Sequence, residues 1–153
     1  MSKYSLGLDF GTLSVRAVLL NLENGEIKAT SVSEYAHGIM STTFLDGSPL
    51  PDATALQHPR DYLESMLAVI GECLSSSGVA PECITGIGVD FTASTILPVL
   101  EDGTPLCFTK EFENEPHAYV KLWKHHAAQA QADEINALAR QRGEEWLDAY
   151  GGK

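Results

Sequence analysis

Residues 7–16 read Gly-Leu-Asp-Phe-Gly-Thr-Leu-Ser-Val-Arg and gather an acid, glycines, two hydroxyls and a cation in one short stretch. A strand-like run over Ser5–Leu8 ends on Asp9, and a second apolar run over Val15–Leu22 returns directly. The pattern predicts a β-hairpin with polar chemistry at its tip. Gly11 lets backbone approach an anion closely, because no Cβ stands in the way. Thr12 and Ser14 carry hydroxyls that donate to phosphate oxygens. Asp9 is a hard anion of the kind that suits Mg²⁺, a cation that keeps several waters and takes one or two carboxylates. Arg16 offers a planar fork of donors to a phosphate. The same residue types also build ordinary turns, so the tip alone leaves a phosphate site and a plain hairpin both open.

The frame that must hold this tip is one domain's worth of chain. A length of 153 residues is enough to bury a core without covalent staples. No apolar run is long enough to span a bilayer, and the opening Met1-Ser2-Lys3-Tyr4 has no leader-like basic and apolar pattern. Cys73, Cys83 and Cys107 are odd in number and scattered, which fits neither a disulfide framework nor a metal knuckle and predicts a reduced, cytoplasmic setting. A net charge of −11 argues against nucleic acid or an anionic membrane as partner. It leaves room for a nucleotide in a locally positive site.

Three strands are expected first, over Tyr4–Asp9, Ser14–Asn21 and Ile27–Ala36, with Asn24-Gly25 as a hairpin turn. They make an antiparallel three-strand meander. Residues 38–57 read as a long irregular loop that covers something. A helix follows over Pro59–Ser77: Pro59 suits its first position, Asp61 and Glu64 sit at the positive end of its dipole, and Gly78 ends it. Leu63, Met66, Leu67, Ile70 and Leu74 form one apolar stripe, read as its core face. Ile84–Val89 reads as a buried strand ending on Asp90. Thr95–Leu100 reads as another strand, with Pro105–Thr109 pairing back after Glu101-Asp102-Gly103. Tyr119–Lys124 reads as a strand from its aromatic and branched residues. A helix is expected from Ala128 to Arg142, broken at Gly143, with one more turn over Glu144–Tyr150. This order predicts a mixed α/β layer fold of the ribonuclease-H-like, or actin-like ATPase, half-domain type, with a mixed sheet and flanking helices.

Three polar groups then fall at carboxyl ends of expected strands, where open α/β sheets bind ligands: Asp9, Asp90-Phe91-Thr92 and Lys124-His125-His126. The string Gly7-Leu8-Asp9-Phe10-Gly11-Thr12, with Arg16, resembles the first phosphate motif of the FGGY carbohydrate kinases. Gly86-Ile87-Gly88-Val89-Asp90-Phe91-Thr92-Ala93-Ser94-Thr95 resembles that family's substrate-strand motif. Asp102–Cys107, the stretch Asn114–Ala128 with its Lys-Leu-Trp-Lys-His-His-Ala-Ala string, and the closing Tyr150–Lys153 resemble its L-ribulose-specific branch.

The resemblance implies ATP-dependent phosphorylation of L-ribulose at C5, in L-arabinose catabolism, with Mg²⁺. Gly11, Thr12 and Arg16 match positions beside the terminal phosphates of ATP, with Ser14 as a further donor. Asp9 matches an acid that holds Mg²⁺ through water. Asp90, Thr92, Ala93 and Trp123 fall on the sugar side. Glycerol kinases carry an arginine and a glutamate where Thr92 and Ala93 stand; the small pair leaves room for a five-carbon sugar and gives up two charged contacts. Trp123 matches a tryptophan of the sugar pocket. Asp90 as a turn cap and Trp123 as core are the competing readings. His125 and His126 are adjacent and would face opposite ways on a strand, which argues against a shared metal. His37, His58 and His117 show no pattern, and Cys107 reads as inert. The family's members run several times this length, so the catalytic aspartate, the adenine pocket and the second lobe are expected beyond Lys153. On that reading residues 1–153 are an incomplete N-terminal part of kinase domain I, inactive alone, whose partners are sugar, ATP and the missing C-terminal lobe, with a homo-oligomer allowed. The alternatives are a non-catalytic actin-like binding module and an FGGY kinase for another pentulose or polyol.

Overall fold

The computed structural model describes residues 2–151; Met1 and the Gly152-Lys153 end of the closing string lie outside them. In chain order the elements are β1 (Tyr4–Phe10), β2 (Ser14–Asn21), β3 (Ile27–Glu34), β4 (Leu56–Gln57), α1 (Pro59–Ser77), β5 (Ile84–Phe91), β6 (Val120–Lys121), α2 (Gln129–Arg142) and α3 (Glu145–Ala149). The main sheet has the order β3-β2-β1-β5, and β4 pairs with β6 in a separate two-stranded ladder. The expected meander is present: β1 pairs antiparallel with β2, and β2 with β3. Gly25 takes the left-handed backbone its turn needs, with φ 73°. After α1 the chain returns as β5, parallel to β1.

The limits of α1 are those expected from the sequence. His58 caps its start, accepting the Arg60 N–H on the ring, and Gly78 ends it at φ 66° with its N–H donated to the Leu74 carbonyl. The face it buries is different from the expected one. Asp61, Ser65, Val69 and Cys73 are buried, and Val69 and Cys73 join Leu6, Leu8, Val15, Ala17 and Leu19 in the main core. Leu63 and Leu67 point away and are exposed, while Met66 and Ile70 pack at the margin. Small residues spaced four apart let the helix lie close on the sheet, so the bulkiest stripe is not the buried one.

The expected buried strand at Ile84–Val89 is instead an edge strand, and its Ile87, Val89 and Phe91 are exposed. Thr95–Leu100 forms no strand. Pro98 and Pro105 lack the N–H a ladder needs, and pairing is reduced to a Val99–Pro105 bridge and a turn closed by Leu100 N–H to the Thr104 carbonyl. Pro105–Thr109 is mostly a 3-10 turn over Leu106–Phe108. Of Tyr119–Lys124 only Val120–Lys121 is extended. Residues 38–57 are not a bare cover: Met40, Phe44, Leu50 and Leu56 build a second small core with Cys107, Ala118 and Tyr119. All three cysteines are free, and burial pushes the Cys107 thiol up to about 11, which keeps it protonated and unreactive near neutral pH.

The swapped helix face sets an expectation. Val69 is 0% exposed and Leu67 66% exposed. Val69→Ala is expected to cost about 2 kcal/mol in urea unfolding of this chain, and Leu67→Ala less than about 0.5 kcal/mol. The reverse order would restore the Leu63–Leu67 stripe as the core face.

Candidate functional site

Strand alternation divides the sequence-selected residues between the two faces of the sheet. Leu6, Leu8 and Phe10 of β1 face α1, so Gly7 and Asp9 face the other way. The registers then do the rest. Asp9 lies opposite Arg16 on β2 and beside Asp90 on β5. These three residues line one groove of about 560 Å³, whose floor is opened by the register pair Gly7 and Gly88. Arg16 Nη1 stands 3.7 Å from Asp9 Oδ2 with both side chains well exposed, a contact worth little in water. Little therefore holds Arg16 on Asp9. Asp9 and Asp90, in register on neighbouring strands, are hard oxygen donors of the kind that could hold a divalent cation.

The hairpin tip is held from below. Gly11 N–H donates to the Ser14 carbonyl at 2.9 Å, and a Cβ on Gly11 would sit 3.3 Å from that oxygen. Tyr35 donates its hydroxyl to the Gly11 carbonyl at 3.0 Å, and Gln57 donates its amide to the Thr12 carbonyl at 2.6 Å. Tyr62 in turn donates to the Gln57 oxygen at 2.6 Å. These bonds hold the tip's carbonyls on the protein side, with the Thr12 side exposed to solvent. Burial, with help from the Asp61 and Asp9 charges, pushes the Tyr35 hydroxyl up to about 12, so it stays a donor. Neither Gln57, Tyr35 nor Tyr62 stands out in the sequence; only the fold shows that they brace the tip.

Gly11 and Thr92 meet on the α1 side, where they line a second cavity of about 350 Å³ with Phe10, Gln57, Tyr62 and Phe91. Asp90 accepts the Phe91 N–H on Oδ1 at 2.9 Å and also lines the far-face groove. Trp123 is 68% exposed and is not core. Its indole N–H donates to the Ala93 carbonyl at 2.5 Å, which fixes the ring against the loop after β5. Ala93 and Trp123 are thus brought together, and they lie outside both cavities. Lys124-His125-His126 lies on a turn, not at a strand end. His125 N–H donates to the Leu122 carbonyl and His126 N–H to the Ala53 carbonyl, so the strand argument against a shared metal does not apply there. The ring of His125 is used instead to accept the Ala55 N–H.

Sequence reasoning found no pattern in His37 and His58, yet the fold brings them together with Asp61. Their ligating atoms lie within 4.8 Å of one another. Asp61, 1% exposed, accepts the His37 N–H on Oδ2 at 3.1 Å and pairs with His37 Nδ1 through Oδ1 at 2.5 Å. His58 Nδ1 accepts the Arg60 N–H at 3.3 Å, and the His37–Asp61 bonds tie the end of the meander to the start of α1. The i, i+3 spacing of His58 and Asp61 is the cluster's only trace in the sequence.

No family model matches the sequence. Among solved structures, a gluconate kinase from Lactobacillus acidophilus matches with TM-score 0.65 and 19% identity over 94% of this chain and 23% of that one. A ligand-bound xylulose kinase from the same organism gives TM-score 0.64 and 19% identity over 92% and 23%. The architecture is the actin-like ATPase fold that these two kinases share over the matched part. The ribulokinase of Shouchella clausii is 47% identical over 100% of this chain and 28% of its own length. That of Mycolicibacterium smegmatis is 48% identical over 98% and 27%, and that of Bacillus licheniformis 51% identical over 92% and 26%. The chain is a homologue of the ribulokinases, matches their N-terminal part, and spans about a quarter of their length.

The His58 ring gives a pH expectation. Burial, then the neighbouring His37, lowers its pKa from 6.5 to about 4. Below 6.5 the unfolded chain takes up a proton that the folded one refuses, so stability falls with pH down to about 4, at up to about 1.4 kcal/mol per pH unit. His58→Asn puts a side-chain oxygen where the ring Nδ1 caps the helix and removes the titration. Urea midpoints of the two proteins are expected to converge as pH is lowered through this window; parallel curves would show that His58 is not held neutral.

Proposed function

We propose that residues 1–153 are the N-terminal part of domain I of an ATP-dependent carbohydrate kinase that converts L-ribulose to L-ribulose 5-phosphate. The observation that carries this reading is the identity of 47–48% with ribulokinases over 98–100% of the chain, together with the register that sets Asp9, Arg16 and Asp90 side by side. Phosphoryl transfer asks a protein mainly for positioning and charge stabilisation. On this reading Gly11, Thr12 and Ser14 receive the terminal phosphates of ATP at the hairpin tip, and Arg16 leaves Asp9 to balance charge on the transferred group. Asp9 would hold Mg²⁺ through water, and the metal would neutralise phosphate charge. Asp90, Thr92 and Ala93 would bound the sugar side, with the exposed face of Trp123 set against the sugar's carbons. The base that takes the hydroxyl proton, the adenine site and the second lobe belong to the rest of the kinase. The cytoplasm is the expected setting for such a metabolic kinase; among the described residues no helix is long and apolar enough to cross a membrane.

The test is ADP release by the full kinase with L-ribulose. Turnover is expected, and Arg16→Ala is expected to lower kcat by about 100-fold. Turnover with xylulose or glycerol but with neither ribulose epimer would keep the family and overturn the substrate. The 153-residue chain alone is expected to bind Mg-ATP weakly and to turn nothing over, since one wall of a cleft neither encloses nor orients the reactants. Tight binding by this chain would favour a self-sufficient nucleotide-binding module.

A further inference from the structure

Lys121, His117 and His125 have no role in the kinase reading, and the fold gathers them around a separate cavity. It measures about 410 Å³ and lies between Ser94, Ile96 and Pro98 on one wall and His117, Lys121 and His125 on the other. No carboxylate lines it, in a chain with 21 acidic and 10 basic residues. Lys121 makes no salt bridge among the described residues; its ammonium donates to the His117 carbonyl at 3.4 Å. Glu115 is the acid that acts on it, but that carboxylate is engaged by the His117 N–H at 2.9 Å. Because His125 Nδ1 accepts the Ala55 N–H at 3.2 Å, the neutral ring carries its proton on Nε2 and is a donor there. Burial lowers the pKa of both Lys121 and His125, and for His125 the charges of Lys121, His117 and His126 add to it. The group is thus rich in donors and short of negative charge. Ser94 holds a left-handed backbone at φ 57°, a conformation that costs a non-glycine residue energy and gathers at ligand sites. Thr95 Oγ1 bonded to the Thr92 carbonyl at 2.7 Å braces it from one side, and the Trp123–Ala93 bond from the other.

We propose that this cavity is an anion site that takes the phosphoryl group of a small sugar phosphate, with Lys121, His125 Nε2–H and the Ser94 hydroxyl as its donors. The volume exceeds what a bare phosphate fills, and Ile96 and Pro98 give an apolar wall for a short carbon skeleton. The site is distinct from the hairpin tip, and it stands on its own lining whether or not the chain belongs to a ribulose-phosphorylating enzyme.

The test follows the imidazole signals of His117 and His125 by NMR in the full 153-residue chain, titrated with ribose 5-phosphate, ribose and inorganic phosphate. Ribose 5-phosphate is expected to shift both rings saturably in the millimolar range, inorganic phosphate more weakly, and ribose not at all. Lys121→Met is expected to weaken ribose 5-phosphate at least about tenfold, a change of about 1.4 kcal/mol. Ser94→Gly, which removes the hydroxyl and relieves the backbone without touching the fold's cores, is a second variant expected to weaken it. Equal binding of inorganic phosphate would overturn the sugar-phosphate assignment. Binding that survives both variants, or no saturable shift with any of the three, would overturn the site.

Discussion

Everything near the candidate site depends on β1 being paired on both edges. Its antiparallel register with β2 sets Asp9 opposite Arg16, and its parallel register with β5 sets Asp9 beside Asp90. A slip of one residue in either ladder would turn the polar row into the core and the Leu6–Leu8 row out to solvent. The core therefore fixes the site: burying Leu6 and Leu8 under α1 forces Asp9 to the far face. The Gly7–Gly88 pair continues the logic, because two glycines in register leave the floor of that groove bare. Gly7 is constrained from β2 as well, since a Cβ there would stand 3.0 Å from Val18 Cγ1.

The features legible in the sequence are the ones governed by local physics. Asn24-Gly25 fixes a turn, Pro59 and Gly78 fix both ends of a helix, and period-two runs fix three strands. The placement of the hairpin tip and of Asp90 at the ends of β1 and β5 is legible because strand ends and turn chemistry are local too. What escaped detection depends on partners far along the chain. The buried face of α1 is chosen by how closely the helix can approach the sheet, and Ser65, Val69 and Cys73 permit an approach that Leu63 and Leu67 would block. The exposure of β5 depends on what lies beside it. The brittle strands, Thr95–Leu100 and Tyr119–Lys124, were read from side-chain type alone, and the prolines or the short ladder with β4 decided otherwise. The segment Lys121–Ala128 is legible only through resemblance, since most of its residues occupy a turn that no periodicity announces.

The bracing around Gln57 shows how the two cores communicate. Gln57 is buried on β4, the strand that belongs to the smaller core, yet its amide supports the Thr12 carbonyl at the hairpin tip and its oxygen is held by Tyr62 of α1. Tyr35, at the end of the meander, packs edge-on against Tyr62 with ring centroids 5.3 Å apart and holds the Gly11 carbonyl. The irregular segment 38–57 is therefore a structural part of the tip, and its long course is the path that brings Gln57 there.

The same register that fixes the polar row also continues an apolar one. Parallel pairing puts Ile87, Val89 and Phe91 in line with Leu6, Leu8 and Phe10 on the α1 side of the sheet. On β1 that row is covered by the helix; on β5 it is open, and Leu63, outside the main core, lines one cavity with Phe91. Full burial of a side chain of this kind is worth about 1.5–3 kcal/mol, so this row holds a large unspent share of the chain's apolar driving force. A row so regular, running along a strand whose far face carries Asp90 into the groove, has the form of a core interrupted at its middle. That form agrees with homologues of which the chain spans about a quarter. It also means that the position of Asp90, unlike that of Asp9, rests in this chain on one ladder alone.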